Sequence, residues 1–518
     1  MPPLNASERA QLERYLTNLD RPVFALRNLP EVVKGALFSR YSRTEKSLRR
    51  VLLDEFLQSP DLELAASAED AIPATDRAED FYQRVLVGYG DDSVAELAGA
   101  HIAVEQVSTL AAKALEDSRI GISPLEKSTR YVRFDRRDDE GRFLYHRGPE
   151  LSDPAYVAGM DGLFSTYSDL ITPLTEAVRE RHPMEEGEAE RGWKAATRAR
   201  ALDLLRGLLP AATLTNVGLY GNGRAFEYLL TKLTASELPE CAELAESMHR
   251  ELSEVIPAFV RRARDERYGG PAADRLRRMR QRMATLAPPP SREPAGTSVR
   301  LIEHDPDAER KVVAAALFPH GAPLDAVPDV SVEAVMEALL ADRQNRRQKA
   351  PRALEHASYT FEIVANFGAY RDLHRHRMLT QDRQYLGSWL GYDLPEELAG
   401  YGIRDRVGEA LEEAGRVHRT LASDLGEAVA QYAVPLAYRV RWYFRASLRE
   451  IYHLCELRTT PQGHPDYRFL AQEMFRRVAE VHPALAAQAR FVDLSAGDEL
   501  ERRASERRTD DKLRSLQA

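Results

Sequence analysis

Apolar residues recur at helical spacing, with few breakers, over three long stretches of the chain: residues 31–57, 239–268 and 404–434. That spacing predicts helices and a mostly helical protein. Three shorter runs, TRYVRFD (129–135), RFLYHR (142–147) and SYTFEIV (358–364), read as strands. Between the helical regions lies TLAPPPSREPAGTS, residues 285–298. Its three consecutive prolines, then Pro294 and Gly296, cannot continue a helix, so this stretch reads as a linker between residues 1–284 and 299–518.

The two sides of the linker carry a similar order of features. An acidic residue, Glu96 or Glu355, precedes a hydrophobic helix-like pattern, SVAELAGAHIAVEQV or RALEHASYTFEIV. A short charged motif, a long helical stretch, a proline and a last helix (NGRAFEYLL or RASLREIYHLCELR) follow in each. This reads as a diverged internal repeat.

At 518 residues the chain exceeds one ordinary core and predicts at least two domains. It is 43% hydrophobic and 30% charged and has no run of 18 apolar residues, so a soluble protein without a membrane span is expected. The first residues, MPPLNASERAQLERYL, show no signal peptide pattern. Only Cys241 and Cys455 occur, both at plausible helix-packing positions, which excludes a disulfide framework and a cysteine-rich metal centre. The expected compartment is the cytoplasm.

The net charge of −9 makes one segment stand out. RDLHRHRML (371–379) gathers Arg371, His374, Arg375, His376 and Arg377 right after an apolar run. At a helix C-terminus such charges gain from the helix dipole, and they also suit a clamp for a small anion. His374 and His376 are poorly spaced for a metal on a helix, and no HExxH pattern occurs, so no metal is expected. No P-loop and no dinucleotide-binding glycine pattern is present. The basic stretch DRLRRMRQRM (274–283) reads as a solvated helix face, and an acidic chain without interleaved aromatics is not expected to bind nucleic acid.

A second stretch is SPLEKSTRYV (123–132), where Glu126, Ser128 and Arg130 alternate. In an extended segment they share a face, offering an acceptor, a hydroxyl and a planar guanidinium for phosphate. By themselves the same residues read first as a surface turn entering a strand, with Pro124 as turn residue.

EHASYTFEIVANFGAYRDLHRHR closely resembles the signature of flavin-dependent thymidylate synthases, keeping Glu355, His356, Arg375, His376 and Arg377. The tail of that signature is altered here, with Arg383 and Tyr385 in place of its Glu and Ser. The first half is altered in the opposite way. Ser118-Arg119-Ile120 replaces Arg-His-Arg, but Ser123, Glu126, Ser128, Arg130 and Tyr131 match the tail. Upstream, DDSVAEL keeps Ser93 and Glu96, and ALFSRYSR offers Arg40 and Ser42. Further on, RGLLP supplies Arg206, and NGRAFEYLL keeps Asn222 and Arg224. An arginine expected nine residues later is Leu233 in the first half and Arg458 in the second, where Arg449 and His453 also fit; His464 matches more loosely.

The resemblance implies an α+β fold of two tandem thymidylate synthase-like domains, each a mainly antiparallel sheet flanked by long helices. It implies transfer of a methylene group from methylenetetrahydrofolate to C5 of dUMP, with FAD as cofactor and NADPH as reductant. Family sites lie between subunits, so two damaged copies can share one composite site, and a homodimer would rebuild a four-domain assembly. In that site Arg375, Arg377 and Ser128 would serve the reaction, with Ser128 positioning the nucleotide rather than attacking it. Glu126, Ser128, Arg130, Arg206 and Arg458 would bind the nucleotide. Arg375, His376, Arg377, Arg40, Ser42, Asn222, Arg224 and His453 would bind the flavin. C5 modification of another pyrimidine nucleotide, or a non-catalytic nucleotide-binding relative, stays open beside this reading.

Overall fold

The computed structural model describes residues 4–41, 44–57, 95–289, 292–325, 329–497, 500 and 502–517. Each half runs strand, helix, strand, long helix, strand, helix. The first half gives β1 (Gly99–Ser108), α1 (Thr109–Glu116), β2 (Ile122–Glu126), α2 (Pro154–Arg181), α3 (Glu190–Leu205), β3 (Leu214–Asn222) and α4 (Gly223–Thr234). The second gives β4 (Ser298–His304), β5 (Ser358–Asn366), α5 (Phe367–Leu373), β6 (Thr380–Arg383), α6 (Arg404–Leu425), β7 (Arg439–Ser447), α7 (Leu448–Arg458) and α8 (Pro465–Val481). The fold is α+β with two sheets, ordered β1-β3-β2 and β4-β5-β7-β6. The pairings with a defined register are antiparallel, and by strand order β1, β3 and β2 of the first sheet correspond to β5, β7 and β6 of the second.

The strands follow from their alternation. In β7, Val440, Trp442, Phe444 and Ala446 are buried, while Arg439, Arg441, Tyr443 and Arg445 point away from the core, the period of two that a half-buried strand requires. Side-chain caps then fix where helices begin. Asn222, Asn366 and Ser447 each accept a hydrogen bond from a backbone N–H three residues on, opening α4, α5 and α7.

By packing, the chain forms two compact units that do not follow the halves. One comprises Met1–Glu105, Ala114–Glu126 and Asn216–Pro288; the other comprises Gln106–Lys113, Lys127–Thr215 and Pro289–Ala518. The second unit therefore contains a segment of the first half, 127–215, packed with the whole of the second. There α2 lies against α6 so closely that a Cβ on Gly159 would come within 2.8 Å of Val417. The turns after α3 and before β7 also run antiparallel. Ala211 N–H donates to Val434 O at 2.9 Å, Leu436 N–H to Leu209 O at 2.9 Å and Ala437 N–H to Gly207 O at 3.0 Å.

Several expected elements differ. The strand expected at 129–135 is a turn, in which the Val132 N–H returns to Ser128 O at 3.1 Å, and 142–147 makes only isolated bridges. Their alternation reflects packing of single aromatic side chains such as Phe134, Phe143 and Tyr145, all buried. The strand expected at 358–364 is β5, whereas the described part of the helix-like pattern at 93–107 gives β1, in which the apolar residues Ala100, Val104 and Val107 are buried and His101, Glu105 and Gln106 are exposed. The long helices are interrupted. The described part of 31–57 gives Glu31–Tyr41, then Leu48–Val51 and a wider helical turn Leu52–Leu57. The 239–268 stretch breaks after Ser253, before Pro257. α6 stops at Gly426, whose φ of +86° favours a residue without a Cβ. The basic stretch 274–283 lies in the largely exposed helix Gly269–Leu286, as its composition predicts.

Candidate functional site

The charged motif is placed by β5 and α5. The helix ends at Leu373, His374 caps it, and Arg375, His376 and Arg377 form the turn that leads into β6. Opposite stands α7. Its apolar face, Ile451, Tyr452, Leu454 and Cys455, is buried. Arg449, Glu450 and His453, spaced i, i+1 and i+4, turn toward the motif.

His376 is held on both ring nitrogens. Nδ1 lies 2.9 Å from Glu450 Oε1, and Arg458 Nε donates to Nε2 at 3.0 Å. An arginine can only donate, so Nε2 is the acceptor and Nδ1 carries the proton that Glu450 receives. Burial, then the charges of Arg458 and Lys349, hold the His376 pKa well below its ordinary value, which agrees with a neutral ring. Burial also raises the Glu450 carboxyl, against the pull of His453 and Lys349. His453 faces His376 with ring centroids 5.5 Å apart, and burial lowers its pKa to about 4.

These residues line a cavity of about 740 Å³, within the range of about 300–1,000 Å³ common for ligand sites. Its described lining holds eight Arg or Lys side chains against three carboxylates. Each carboxylate is already engaged. Glu456 takes a bidentate pair from Arg343 at 2.8 and 2.6 Å, Glu355 takes Arg449 at 2.7 Å, and Glu450 takes His376. The lining as a whole is cationic, with Arg375, Arg377 and Arg445 among its charges, which suits an anion. A dinucleotide cofactor with its diphosphate fits this donor set. His376, Glu450 and His453 do present ligand atoms within 4.8 Å of one another, the spacing of a metal triad. The lone pair of His376 is already taken by Arg458, however, and the surrounding cations oppose a metal ion.

The segment 127–215 brings a second group of arginines into the same unit. Arg130 forks onto Asp203, with Nη2 2.7 Å from Oδ2 and Nε 2.9 Å from Oδ1. It also donates to the Tyr467 hydroxyl at 3.3 Å. Arg458 lies over the same Tyr467 ring, 5.5 Å from its centroid. Arg206 donates through Nη1 to Asp372 at 3.1 Å, and Asp372 lies 3.9 Å from Arg375. Burial would raise the Asp372 pKa, but Arg206, Arg375, Arg458 and Arg130 together outweigh it and hold the carboxyl far below the usual range. Burial would lower the Arg130 pKa, and Asp203 more than reverses that. His464, beside Asp203 and Asp466, is lowered to about 4, first by burial and then by Arg206.

Arg130, Arg206, Arg375, His376 and Arg458 are thus brought together, with Arg377 and His453 on the cavity wall. Half-buried Ser128 accepts from the Arg130 N–H at 3.3 Å. The other expected residues belong to the first unit. Glu126 is buried at the end of β2, Arg40 pairs with Glu55 at 2.6 Å, Asn222 caps α4, and Arg224 pairs with Glu96 at 2.7 Å. Ser42 and Ser93 lie outside the described residues. Sequence reasoning missed Glu450, Asp372, Asp203 and Tyr467. Only Asp372 had a visible signal, since it stands inside the RDLHRHR motif.

Residues 47–258 and 300–484 match the family model of the thymidylate synthase complementing protein. The chain belongs to this family. A UPF0159 protein of Chlamydia muridarum is 44% identical over 508 residues, covering 95% of this chain and 96% of the relative. Another, from Thermoplasma acidophilum, is 34% identical and covers 89% of this chain and 95% of its own length. A flavin-dependent thymidylate synthase of Geobacter sulfurreducens is 26% identical over 201 residues, 37% of this chain and 86% of that protein. Among solved structures, a UMP/dUMP methylase of Streptomyces cacaoi bound with 5-Br UMP matches 38% of this chain and 96% of its own, at 18% identity and a TM-score of 0.32.

The family's match occurs in two regions, one on each side of residues 285–298. The repeat shows in an ion pair as well. Arg224 on α4 meets Glu96 at 2.7 Å, and Arg449 on α7 meets Glu355 at 2.7 Å. Each arginine stands two residues after its helix cap, and each glutamate precedes the strand that starts its half of the motif. Among the described residues no helix is long and apolar enough to cross a membrane.

Proposed function

We propose that this protein transfers a one-carbon unit to C5 of a uracil nucleotide, dUMP, with a bound flavin, methylenetetrahydrofolate as carbon donor and NADPH as reductant. The observation that carries the reading is convergence. Arg130 and Arg206 from the first half meet Arg375 and Arg458 from the second around Asp372 and Tyr467, beside a strongly cationic cavity. Two copies that each lack part of a signature supply one site between them.

The residues have distinct tasks in this reading. The cavity arginines, Arg375 and Arg377 among them, hold the anionic groups of cofactor and nucleotide. Reduced flavin, when bound, supplies hydride. Glu450 fixes the His376 tautomer, and His376 in turn fixes Arg458, so that its remaining N–H groups are preorganised toward negative charge developing on the pyrimidine. A thiolate attacking C6 has no source. Burial pushes the Cys241 thiol up to about 12 and the Cys455 thiol higher still. That agrees with a route in which the cofactor carries the chemistry.

One observation favours a second reading, a nucleotide-binding relative without turnover or an enzyme for another pyrimidine nucleotide. Arg130 and Arg206 are each matched to a carboxylate of the chain itself. Titration with FAD, following flavin fluorescence with and without dUMP, separates the readings. Saturable quenching that dUMP alters, followed by conversion of dUMP to dTMP, supports the enzyme; dUMP binding without flavin binding supports the relative; no binding of either ligand sinks both. A homodimer is part of the proposal, and light scattering at twice the chain mass of 58.4 kDa checks it.

A further inference from the structure

Four guanidinium groups surround Asp372. Arg206 touches it at 3.1 Å, Arg375 stands at 3.9 Å, and Arg458 and Arg130 act on it through their charge. Arg130 is at the same time forked onto Asp203. The chain therefore places a carboxylate of its own where an arginine cluster would otherwise meet an incoming anion.

The rest of Arg206 shows what is left over. The residue is 4% exposed, and its Nη2 makes no hydrogen bond. It lines a second cavity of about 380 Å³, with Asp203, Asp393 and Asp466 on the same walls. Gly368 lets it reach there, since a Cβ at that position would lie 3.2 Å from Nη2. A phosphate dianion brought to Arg206 would share one guanidinium with Asp372, which touches it at 3.1 Å; Asp203 and Asp393 are already paired, with Arg130 and Arg439. Two anions on one guanidinium in a partly buried site repel strongly. A single neutral oxygen acceptor meets no such repulsion.

We propose that Asp372 is a charge-selecting residue: it occupies Arg206 with a built-in anion, so that this arginine takes a neutral oxygen acceptor and doubly charged phosphate is left to the cationic cavity beyond Arg375. The proposal rests on the nucleotide reading above only for the identity of the ligand. It makes Arg206 a contact for an uncharged part of that ligand.

The test uses the full-length protein, calorimetric titration, and three probes: inorganic phosphate, dUMP and deoxyuridine. Asp372→Asn is expected to tighten phosphate and dUMP by about tenfold or more, the effect of one neighbouring charge removed, and to leave deoxyuridine within about twofold. Equal or weaker phosphate binding by Asp372→Asn overturns the proposal. Arg206→Gln gives an independent arm that does not depend on that variant folding. Phosphate affinity is expected to stay within about twofold of the original, and a loss of about tenfold or more overturns the proposal by making Arg206 a phosphate ligand after all. If Asp372→Asn tightens phosphate while neither dUMP nor deoxyuridine binds either protein, charge selection stands and the nucleotide reading falls. If dUMP binds and Asp372→Asn leaves it unchanged, the nucleotide reading stands and charge selection falls.

Discussion

The two copies of one strand–helix–turn motif have met different fates. After β5 and α5 the chain turns through Arg375, His376 and Arg377, with His376 buried and bonded on both sides. After β1 and α1 it turns through Ser118, Arg119 and Ile120, with Ile120 68% exposed and Arg119 at a φ of +47°. The helices after the third strands differ in the same sense. α7 ends in Arg458, while the corresponding position on α4 is Leu233, packed in the core. The Glu96–Arg224 and Glu355–Arg449 pairs survive in both. The scaffold contact is retained where the Arg-His-Arg turn is not, so the two features are under separate physical demands.

The largest effects should appear where the second copy is cut. Arg377→Ala is expected to lower dUMP turnover by at least about 100-fold, the usual scale for a lost preorganised charge, whereas Arg119→Ala, in the altered turn of the first copy, leaves it near the original value. Equal losses in the two variants would erase the distinction between the copies. Ser128→Ala tests the shared site from the other half: a fall in turnover alongside that of Arg377→Ala is expected, and an unaffected Ser128→Ala removes the first half from the chemistry.

Stability should separate the same regions. Arg343→Ala leaves Glu456, 1% exposed, without its bidentate partner, and should cost about 3–5 kcal/mol in denaturant unfolding. Arg224→Ala breaks a pair exposed by about half on both sides and should cost less than about 1 kcal/mol.

A smaller and broader effect follows from the histidines of the second unit. His418, His453 and His464 are each lowered from 6.5 to about 4, in each case first by burial. The unfolded chain takes up these protons near pH 6.5 and the folded chain only near 4. The stability they contribute is therefore fully present above about 6.5 and lost as pH falls toward 4. Thermal unfolding should show a midpoint that drops between pH 7 and 5, and a flat profile would argue that these rings are more solvated than their surroundings indicate. The finest probe is Glu450→Gln. It keeps the shape but no longer fixes the His376 tautomer, so turnover should fall and its pH profile should shift, while unfolding changes little.

Much of this was legible in the chain. The charged motif, its damaged counterpart, the linker prolines and strand β5 stand in the sequence because each depends on residues close together. The partners of the site do not. Asp372 meets Arg206 across 166 positions and Arg130 meets Tyr467 across 337, and nothing local marks an aspartate in a helix as the counter-ion of a distant arginine. The strands expected at 129–135 and 142–147 failed for a related reason: alternating aromatics were packing one by one against α2, as the Phe143–Phe164 and Tyr145–Tyr156 contacts show. Their spacing mimicked a sheet that the backbone does not form.

The placement of 127–215 has a consequence for the history of such a chain. A gene duplication is reversible as long as each copy can be lost or separated intact. Here one packing unit is assembled from a segment of the first copy and the whole of the second, so severing the chain between the copies would leave the later piece without part of its interior. With the segments packed in this way, each copy can do without a different set of residues, but neither can leave. The fusion works as a ratchet, and a cut at residues 285–298 is expected to leave the later piece unable to fold by itself.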